Sequence, residues 1–201
     1  MKTLWLATQN AAKARFYRDV LGDLLAVSAS TNSQRNSNVE ETLDNAAINA
    51  QRKADAYYGR TERPVLGEDT SLCIPALDGL PGPAIRRWGG SLSDDVSDHE
   101  WMRFFFTQIA PLDTGAGVPC VKSHHYALRT HGRSASLKLD FPCRIVLRDY
   151  QAGHPFYGGP LSYVLKYEQF NRYENELSLL EKKGLFAPLR FFVEHEVLRR
   201  A

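Results

Sequence analysis

Two adjacent acidic residues, Glu68 and Asp69, follow a short apolar run and precede a loop rich in Gly and Pro in "VLGEDTSLCIPALDGLPGP". Residues adjacent on a strand point to opposite faces, so both can reach one site only where the strand ends. We therefore expect the strand to end at this pair. The two carboxylates can then share a Mg²⁺ with phosphate oxygens, or one can orient a water for attack. An ordinary acidic turn is the alternative that the pair alone leaves open.

A second group of polar side chains, Thr8, Asn10 and Lys13, lies in "ATQNAAK" near the start of the chain. These residues stand between a predicted strand and a predicted helix. Backbone N–H groups at a helix N-terminus bind anions, and a lysine one turn inside adds a positive charge. The segment is therefore suited to a phosphate group, although a capped surface helix with a solvated lysine explains the same residues.

The composition excludes several classes of protein. With 43% hydrophobic residues in 201, the chain can bury the core of one domain or of two closely packed lobes. Its net charge of +2 is too balanced to indicate a nucleic-acid or membrane partner. Three widely spaced cysteines without a CxxC pattern indicate neither a disulfide framework nor a zinc site. No apolar run has the length of a signal peptide core or a membrane span, so we expect a cytoplasmic protein.

The first half of the chain reads as alternating strands and helices. "TLWLA" and "LLAVSA" predict strands, and "NAAKARFYRDVLG" between them predicts a helix capped by Asn10 and ended by Gly22. A polar loop should follow, over residues 30–38. "DNAAINAQRKADAYYG" predicts a second helix that starts at Asp44 and has an alanine-rich face, with Gly59 after its end. Pro64 then opens the strand that carries the acidic pair.

The second half predicts a helix, a long hairpin and two closing helices. We expect Ser93 to cap the helix "SDDVSDHEWMRFFFTQI", and the hairpin to turn at residues 131–133. His124 and His125 are adjacent on the first hairpin strand and read as a polar edge. "ENELSLLEKK" and "APLRFFVEHEVLRR" predict the closing helices. These elements together predict an α/β fold, with a mixed twisted sheet and flanking helices.

Three motifs resemble those of the inosine triphosphate pyrophosphatase family, the Ham1-like non-canonical purine nucleoside triphosphate pyrophosphatases. "ATQNAAK" resembles the family's "ATGNxxK", "TLDNAAINA" resembles its "TFxENAxxKA", and "VLGEDTSLCIPALDGLPGP" resembles "VLVEDTSLxxxALxGLPGPYI". The motifs occur in the family's order across about the first ninety residues, which makes them specific together.

The resemblance implies one elongated domain, residues 1–201, with two lobes and the substrate in the cleft between them. It also implies a homodimer that uses Mg²⁺ to hydrolyse ITP, dITP and XTP to the monophosphate and pyrophosphate. By the motifs, the triphosphate would be bound by Thr8, Asn10, Lys13, Thr70 and Ser71. The metal would be bound by Asp44, Glu68 and Asp69. The same resemblance makes Asp69 the base for the attacking water.

The residues that would recognise the base depart from the family pattern. The family has "GFGYDP" after its hairpin, whereas this chain has "GHPFYGGPLSYV", in which Phe156 or Tyr157 is the candidate for stacking. The family's "EKNxxSHRGxAL" corresponds to "EKKGLFAPLRFF", which keeps Lys182 or Lys183. Phe-Ala-Pro, at 186–188, stands in place of Ser-His-Arg and cannot build a hydrogen-bonding site that discriminates bases.

Two further departures lie in the phosphate half, where Gln9 replaces a motif glycine and Asn49 replaces a motif lysine. Three functions therefore stay open. The first is pyrophosphatase activity on non-canonical purine nucleotides. The second is the same chemistry on a different modified or canonical nucleotide. The third is a nucleotide-binding or dimeric interaction protein of this fold that does not hydrolyse its ligand.

Overall fold

The protein is described by a computed structural model over residues 2–29, 45–61, 63–93, 95–148 and 159–199. Contacts between residues divide the chain into two compact units. The first unit comprises residues 1–69, 124–139 and 178–201, and the second comprises residues 70–123 and 140–177. The prediction of a single domain with a cleft between its lobes stays a prediction. The loop predicted at residues 30–38 lies outside the described residues.

Strands and helices alternate through the first half of the chain, and strands dominate its middle. The strands are β1 (Thr3–Leu6), β2 (Ala26–Ala29), β3 (Val65–Cys73), β4 (Pro81–Gly82), β5 (Val118–Thr130), β6 (Arg133–Ile145), β7 (Leu165–Tyr167) and β8 (Arg172–Tyr173). The helices are α1 (Ala11–Leu21), α2 (Ala46–Thr61), α3 (Asp98–Ile109), α4 (Leu161–Val164), α5 (Leu179–Leu185) and α6 (Ala187–Val193), which continues as a π-helical segment, Glu194–Arg199. None of the helices in the described ranges is long and apolar enough to cross a membrane.

The strands form one mixed sheet in the order β2-β1-β3-β5-β6-β7-β8, with β4 beside β3. β1 is parallel to both neighbours, with Thr3 opposite Ala26 and Trp5 opposite Val65. β7 is antiparallel to β6 and to β8. The prediction of an α/β fold with a mixed sheet is confirmed.

The strand order places α1 and α2 on opposite faces of the sheet. β1 connects through α1 to β2 on one side, and β2 connects back through α2 to β3 on the other side of β1. Parallel crossovers are right-handed, so two crossovers in opposite directions put their helices on opposite faces. Successive residues of β3 therefore face different helices.

The alanine-rich face predicted for α2 packs directly on β3. Ala50 and Ala54 are fully buried, and a Cβ atom built on Gly67 would overlap the Ala50 carbonyl oxygen and lie 2.7 Å from the Ala54 nitrogen. Only glycine permits this close approach of helix to strand. The expected end of α2 at Gly59 is wrong, because the helix continues to Thr61.

In the second unit, α3 begins later than the sequence suggested. Its cap is Ser97, whose hydroxyl accepts a hydrogen bond from the Glu100 N–H while the Glu100 side chain accepts from the Ser97 N–H. The prediction of Ser93 as the cap is wrong, and its hydroxyl instead bonds Asp95. A Ser-x-x-Glu capping box satisfies two donors of the first turn, an arrangement that Ser93 cannot make with Val96 three residues later.

The predicted hairpin is confirmed, with β5 and β6 joined at His131 and Gly132. Gly132 adopts a φ of 70°, in the left-handed region that a tight hairpin turn requires. β5 starts at Val118, six residues before the predicted strand. The first closing helix is shorter than predicted, because Ser178 and Glu181 form a second capping box that starts α5 at Leu179.

Candidate active site

The acidic pair lies inside β3, not at its end. Glu68 and Asp69 are each 7% exposed, and the strand continues past them to Cys73. The expectation that the strand ends at the pair is therefore wrong. Because the strand is continuous, the two carboxylates reach different helices, and each is held by its own set of partners.

Glu68 is held by a lysine and a histidine of the first unit. Lys13 in α1 donates from Nζ to Oε2 at 2.7 Å, and Nδ1 of His124 lies 3.2 Å from Oε1. Burial alone would raise the pKa of Glu68, but the charge of Lys13 and the hydrogen bond of His124 hold that pKa well below its usual value. Glu68 is therefore an anion at neutral pH.

His124 is a site residue that sequence reasoning missed. Its reading as a polar edge is wrong, because the residue is buried, with its ring stacked on Tyr126 and edge-on to Phe186. Its position depends on β5 lying next to β3, a pairing between strands about fifty residues apart that no local pattern encodes.

Asp69 is held by two side chains from one face of α2. The Asn49 amide donates to Oδ2 at 3.0 Å, and the Lys53 ammonium donates to Oδ1 at 2.8 Å. Burial raises the pKa of Asp69 above its usual value, although Lys53 and Asn49 oppose the effect. Two neighbouring carboxylates thus have pKa values shifted in opposite directions. In catalytic sites with such a pair, one carboxylate stays ionised and the other can accept a proton.

The predicted phosphate residues of the first loop mainly cap α1. Asn10 accepts hydrogen bonds from the N–H groups of Ala12 and Lys13, at 2.9 and 3.1 Å, and its own N–H donates to Thr8. The helix-cap prediction for Asn10 is confirmed. Thr8 also lines a small cavity together with Glu68, so the loop and the acidic strand adjoin.

The structure does not test the roles of the remaining predicted site residues. Thr70 and Ser71 continue β3 into the second unit and are half-buried. Lys182 lies half-buried in α5, and its neighbour Lys183 pairs with Asp23 at 3.2 Å. Three other predicted residues, Asp44, Phe156 and Tyr157, lie outside the described residues. The site roles predicted for all of these residues stay predictions.

Phe186 stands where the family pattern has the serine of Ser-His-Arg, and it is a core residue here. It is 2% exposed and packs edge-on against Phe16 at 5.0 Å and against His124 at 5.3 Å between ring centroids. This ring covers the imidazole that contacts Glu68. Phe186 is thus part of the apolar packing around the imidazole that contacts Glu68.

Comparison with known proteins matches this chain to a described family. The sequence profile of the Ham1 family matches residues 4–133. A dITP/XTP pyrophosphatase of Halalkalibacterium halodurans is 36% identical over 101 residues, which cover 50% of this chain and 52% of the relative. Another, from Rhodopirellula baltica, is 28% identical over 187 residues, which cover 92% and 86% of the two chains. The match with the Halalkalibacterium protein thus spans about half of that relative's length.

Solved structures share the fold at low sequence identity. A HAM1 protein from Coxiella burnetii superposes with a TM-score of 0.71 at 22% identity, covering 97% of this chain and 100% of the other. The Ham1 protein of Staphylococcus aureus gives a TM-score of 0.70 at 19% identity over the same shares of the two chains. At these identities the likeness establishes the fold alone.

Proposed function

The chain belongs to the Ham1 family, and from that premise we propose that it is a nucleoside triphosphate pyrophosphatase. Its substrates are non-canonical purine nucleoside and deoxynucleoside triphosphates such as ITP, dITP and XTP. The products are the monophosphate and pyrophosphate. Support for the substrate class comes from relatives that carry the name dITP/XTP pyrophosphatase.

The single observation that carries the proposal is the buried acidic pair, with one lysine on each carboxylate. The side chain of Lys13 is 37% exposed. Its ammonium group can therefore turn from Glu68 to a phosphate oxygen without burying a further charged side chain. Asp69, whose pKa is raised by burial, is suited to take a proton from water.

In the proposed reaction, a water oxygen attacks the α-phosphorus and its proton passes to Asp69. The bond between the α-phosphorus and the oxygen that bridges to the β-phosphate breaks, and pyrophosphate leaves with the electron pair. Lys13, whose positive charge reaches Asp69 and lowers its pKa, stabilises the charge that develops on the phosphate oxygens. Glu68 remains ionised and holds the Lys13 ammonium beside the first turn of α1 until substrate binds.

The resemblance also implies a divalent cation, Mg²⁺, and a carboxylate oxygen is a ligand of the type that Mg²⁺ prefers. Because Glu68 and Asp69 face different helices, the ion would be held by one of the two carboxylates together with substrate phosphates, which is a common set for it. Within the described residues, no cluster of three or more His, Cys, Asp or Glu side chains could hold a metal ion by itself. A bound ion would neutralise charge on the triphosphate. Asp44, the third predicted ligand, lies outside the described residues.

A second candidate function is the same reaction on a different modified or canonical nucleotide. The observation that favours it is Phe186, which is packed into the core where the family pattern has a polar residue. A buried phenylalanine offers no hydrogen bond to a purine oxygen, so discrimination against canonical purines is weakened at this position.

The proposal is tested by measuring pyrophosphate release with Mg²⁺ across canonical and deaminated ribo- and deoxynucleoside triphosphates. Asp69→Asn, which removes a charge with little change of size, should lower kcat by about 10²- to 10⁴-fold while the fold is kept. Release confined to deaminated purines supports the first candidate, and release from canonical nucleotides supports the second. A folded wild-type protein that is silent on the whole panel would refute both and favour a non-hydrolysing nucleotide-binding role.

A homodimer and a cytoplasmic location complete the proposal. Exposed apolar side chains of the first unit, Leu180 at 81% and Phe191 at 62%, are of the kind that an interface between copies would cover. Light scattering on the purified protein tests the dimer, and a monomer at micromolar concentration would contradict it.

A further inference from the structure

The two partners of Glu68 differ in how firmly the fold holds them. Lys13 reaches the carboxylate through a flexible stem from α1, and its side chain is 37% exposed. His124 reaches it from β5, and its side chain is 9% exposed. We propose that His124 is the positioning residue for Glu68, and that it keeps the carboxylate hydrogen-bonded and in place while Lys13 turns to the triphosphate. This inference rests on the proposed function and deepens it.

Aromatic packing fixes the imidazole of His124. The ring lies nearly parallel to that of Tyr126, with 6.1 Å between centroids, and edge-on to that of Phe186 at 5.3 Å. Tyr126 is fixed in turn, because its hydroxyl accepts a hydrogen bond from the Tyr17 hydroxyl at 3.2 Å. A ring packed on two sides has few other rotamers, whereas a partly exposed lysine keeps most of its rotamers. The histidine is therefore the fixed partner of Glu68, and the lysine is the movable one.

The two partners bind different oxygens of Glu68. An ionised carboxylate only accepts hydrogen bonds, so Nδ1 of His124 carries a hydrogen and donates it to Oε1 at 3.2 Å. Lys13 donates to Oε2 at 2.7 Å. All three residues belong to the first unit. The lysine can therefore leave its oxygen without breaking the hydrogen bond from the histidine.

Burial makes this retained hydrogen bond important for binding. The Glu68 side chain is 6% exposed, and a buried carboxylate that gives up a hydrogen bond is destabilised more than one that water can reach. When the Lys13 ammonium turns to a phosphate oxygen, the hydrogen bond from His124 limits that cost. Without the histidine, triphosphate binding would remove the lysine from a carboxylate that has already lost its contact with the imidazole. The geometry thus links His124 to triphosphate affinity through Glu68.

Two variants of similar size separate the hydrogen bond from the packing. His124→Asn puts an amide N–H as many bonds from the backbone as Nδ1, and His124→Leu puts a methyl group there. Both remove the ring that packs on Tyr126 and Phe186. A role in packing alone predicts that leucine serves at least as well as asparagine, because burying an amide is costly. His131→Leu, at an exposed position in the hairpin turn, is the matched control for loss of a histidine.

The binding probe is inorganic tripolyphosphate, which carries the phosphate chain without a base, and its Kd is measured by calorimetry in metal-free buffer. His124→Leu should raise this Kd by about 10- to 100-fold, whereas His124→Asn should stay within about fivefold of wild type. His131→Leu should match wild type. In a Lys13→Met background, His124→Leu should change the Kd by less than about threefold, because no ammonium then has to leave Glu68. In an active enzyme the KM for the nucleotide should move in the same way.

Any of three binding results would overturn the inference. The first is a Kd of His124→Leu within about threefold of wild type. The second is a Kd of His124→Asn as high as that of His124→Leu, since packing and not the hydrogen bond would then set the affinity. The third is an equal change of Kd with and without Lys13, since the histidine would then not act through the movement of the lysine.

Urea unfolding decides the contact independently of binding and turnover. In the Lys13→Met background, which mimics a lysine that has left Glu68, His124→Asn should unfold at a higher midpoint than His124→Leu. In a Glu68→Met background the order should reverse, because the amide then meets no carboxylate. The same order in both backgrounds would overturn the contact. A wild type that neither binds tripolyphosphate nor releases pyrophosphate would refute the proposed function, and these midpoints would still decide whether His124 holds Glu68.

Discussion

Replacing Gly67 by alanine should separate α2 from β3. The added Cβ would overlap the Ala50 carbonyl oxygen and lie 2.7 Å from the Ala54 nitrogen, where ordinary contact begins at 3.4 Å. Both opposing atoms are helix backbone, so no side-chain rotation relieves the overlap. The Ala54 contact alone requires the helix to move by about 0.7 Å.

The cost of Gly67→Ala follows from this overlap. Overpacking of a close-packed interior costs about 1–3 kcal/mol. In a chain of this size each kcal/mol lowers the thermal midpoint by about 2–4 °C, so we expect a loss of about 2–12 °C. The same shift would lengthen the hydrogen bonds from Asn49 and Lys53 to Asp69, now 3.0 and 2.8 Å, and kcat should fall with stability.

Thermal unfolding of Gly67→Ala beside Gly59→Ala provides the assay with a control in the same helix. Gly59 is exposed inside α2, and nothing lies within 4 Å of the position that an added methyl group would take, so alanine there should stabilise by about 0.5–1 kcal/mol. Opposite shifts of the two midpoints are expected. A Gly67→Ala midpoint equal to that of wild type would refute the direct packing of α2 on the strand.

Three further predictions concern single contacts. Lys13→Ala should raise KM for the triphosphate by about tenfold, and an unchanged substrate dependence would rule out its binding role. Ser97→Ala should lower the free energy of unfolding by about 1 kcal/mol, whereas Ser93→Ala should leave it unchanged in urea titrations; equal losses would contradict the capping box. Arg190 and Lys183 hold the pKa of Asp23 well below its usual value. Asp23→Asn should therefore cost about 0.5–1 kcal/mol at pH 7 for this half-exposed pair, and the difference from wild type should close as pH falls below about 4 toward the folded-state pKa. A difference that is constant from pH 7 to 3 would contradict this assignment.

Local signals in the sequence predicted most of the fold. The cap at Asn10, the alanine face of α2 and the turn at Gly132 each depend on residues within a few positions of one another, and the structure confirms them. The errors also have local causes. Ser93 and Ser97 both precede acidic residues, and only the glutamate three residues after Ser97 distinguishes the true cap.

The site was predicted less completely, because its partners come from distant segments. The pair Glu68 and Asp69 was visible as a motif, but a strand continuing through it gives each carboxylate separate partners. Lys53 had a detectable signal, because "NAQRKA" at residues 49–54 matches the "NAxxKA" of the family's helix motif and puts the motif lysine at Lys53, not at position 49. His124 had none, since its contact with Glu68 depends on strand pairing across the sheet.

The buried ring of Phe186 has a consequence for which substitutions this position tolerates. Replacing Phe186 by serine would remove a side chain packed on Phe16 and His124, and truncating a buried phenylalanine costs about 3–5 kcal/mol. That loss is a large part of the roughly 5–15 kcal/mol by which folded proteins are stable. A hydrogen-bonding side chain therefore cannot be placed at position 186 by one substitution without a large loss of stability.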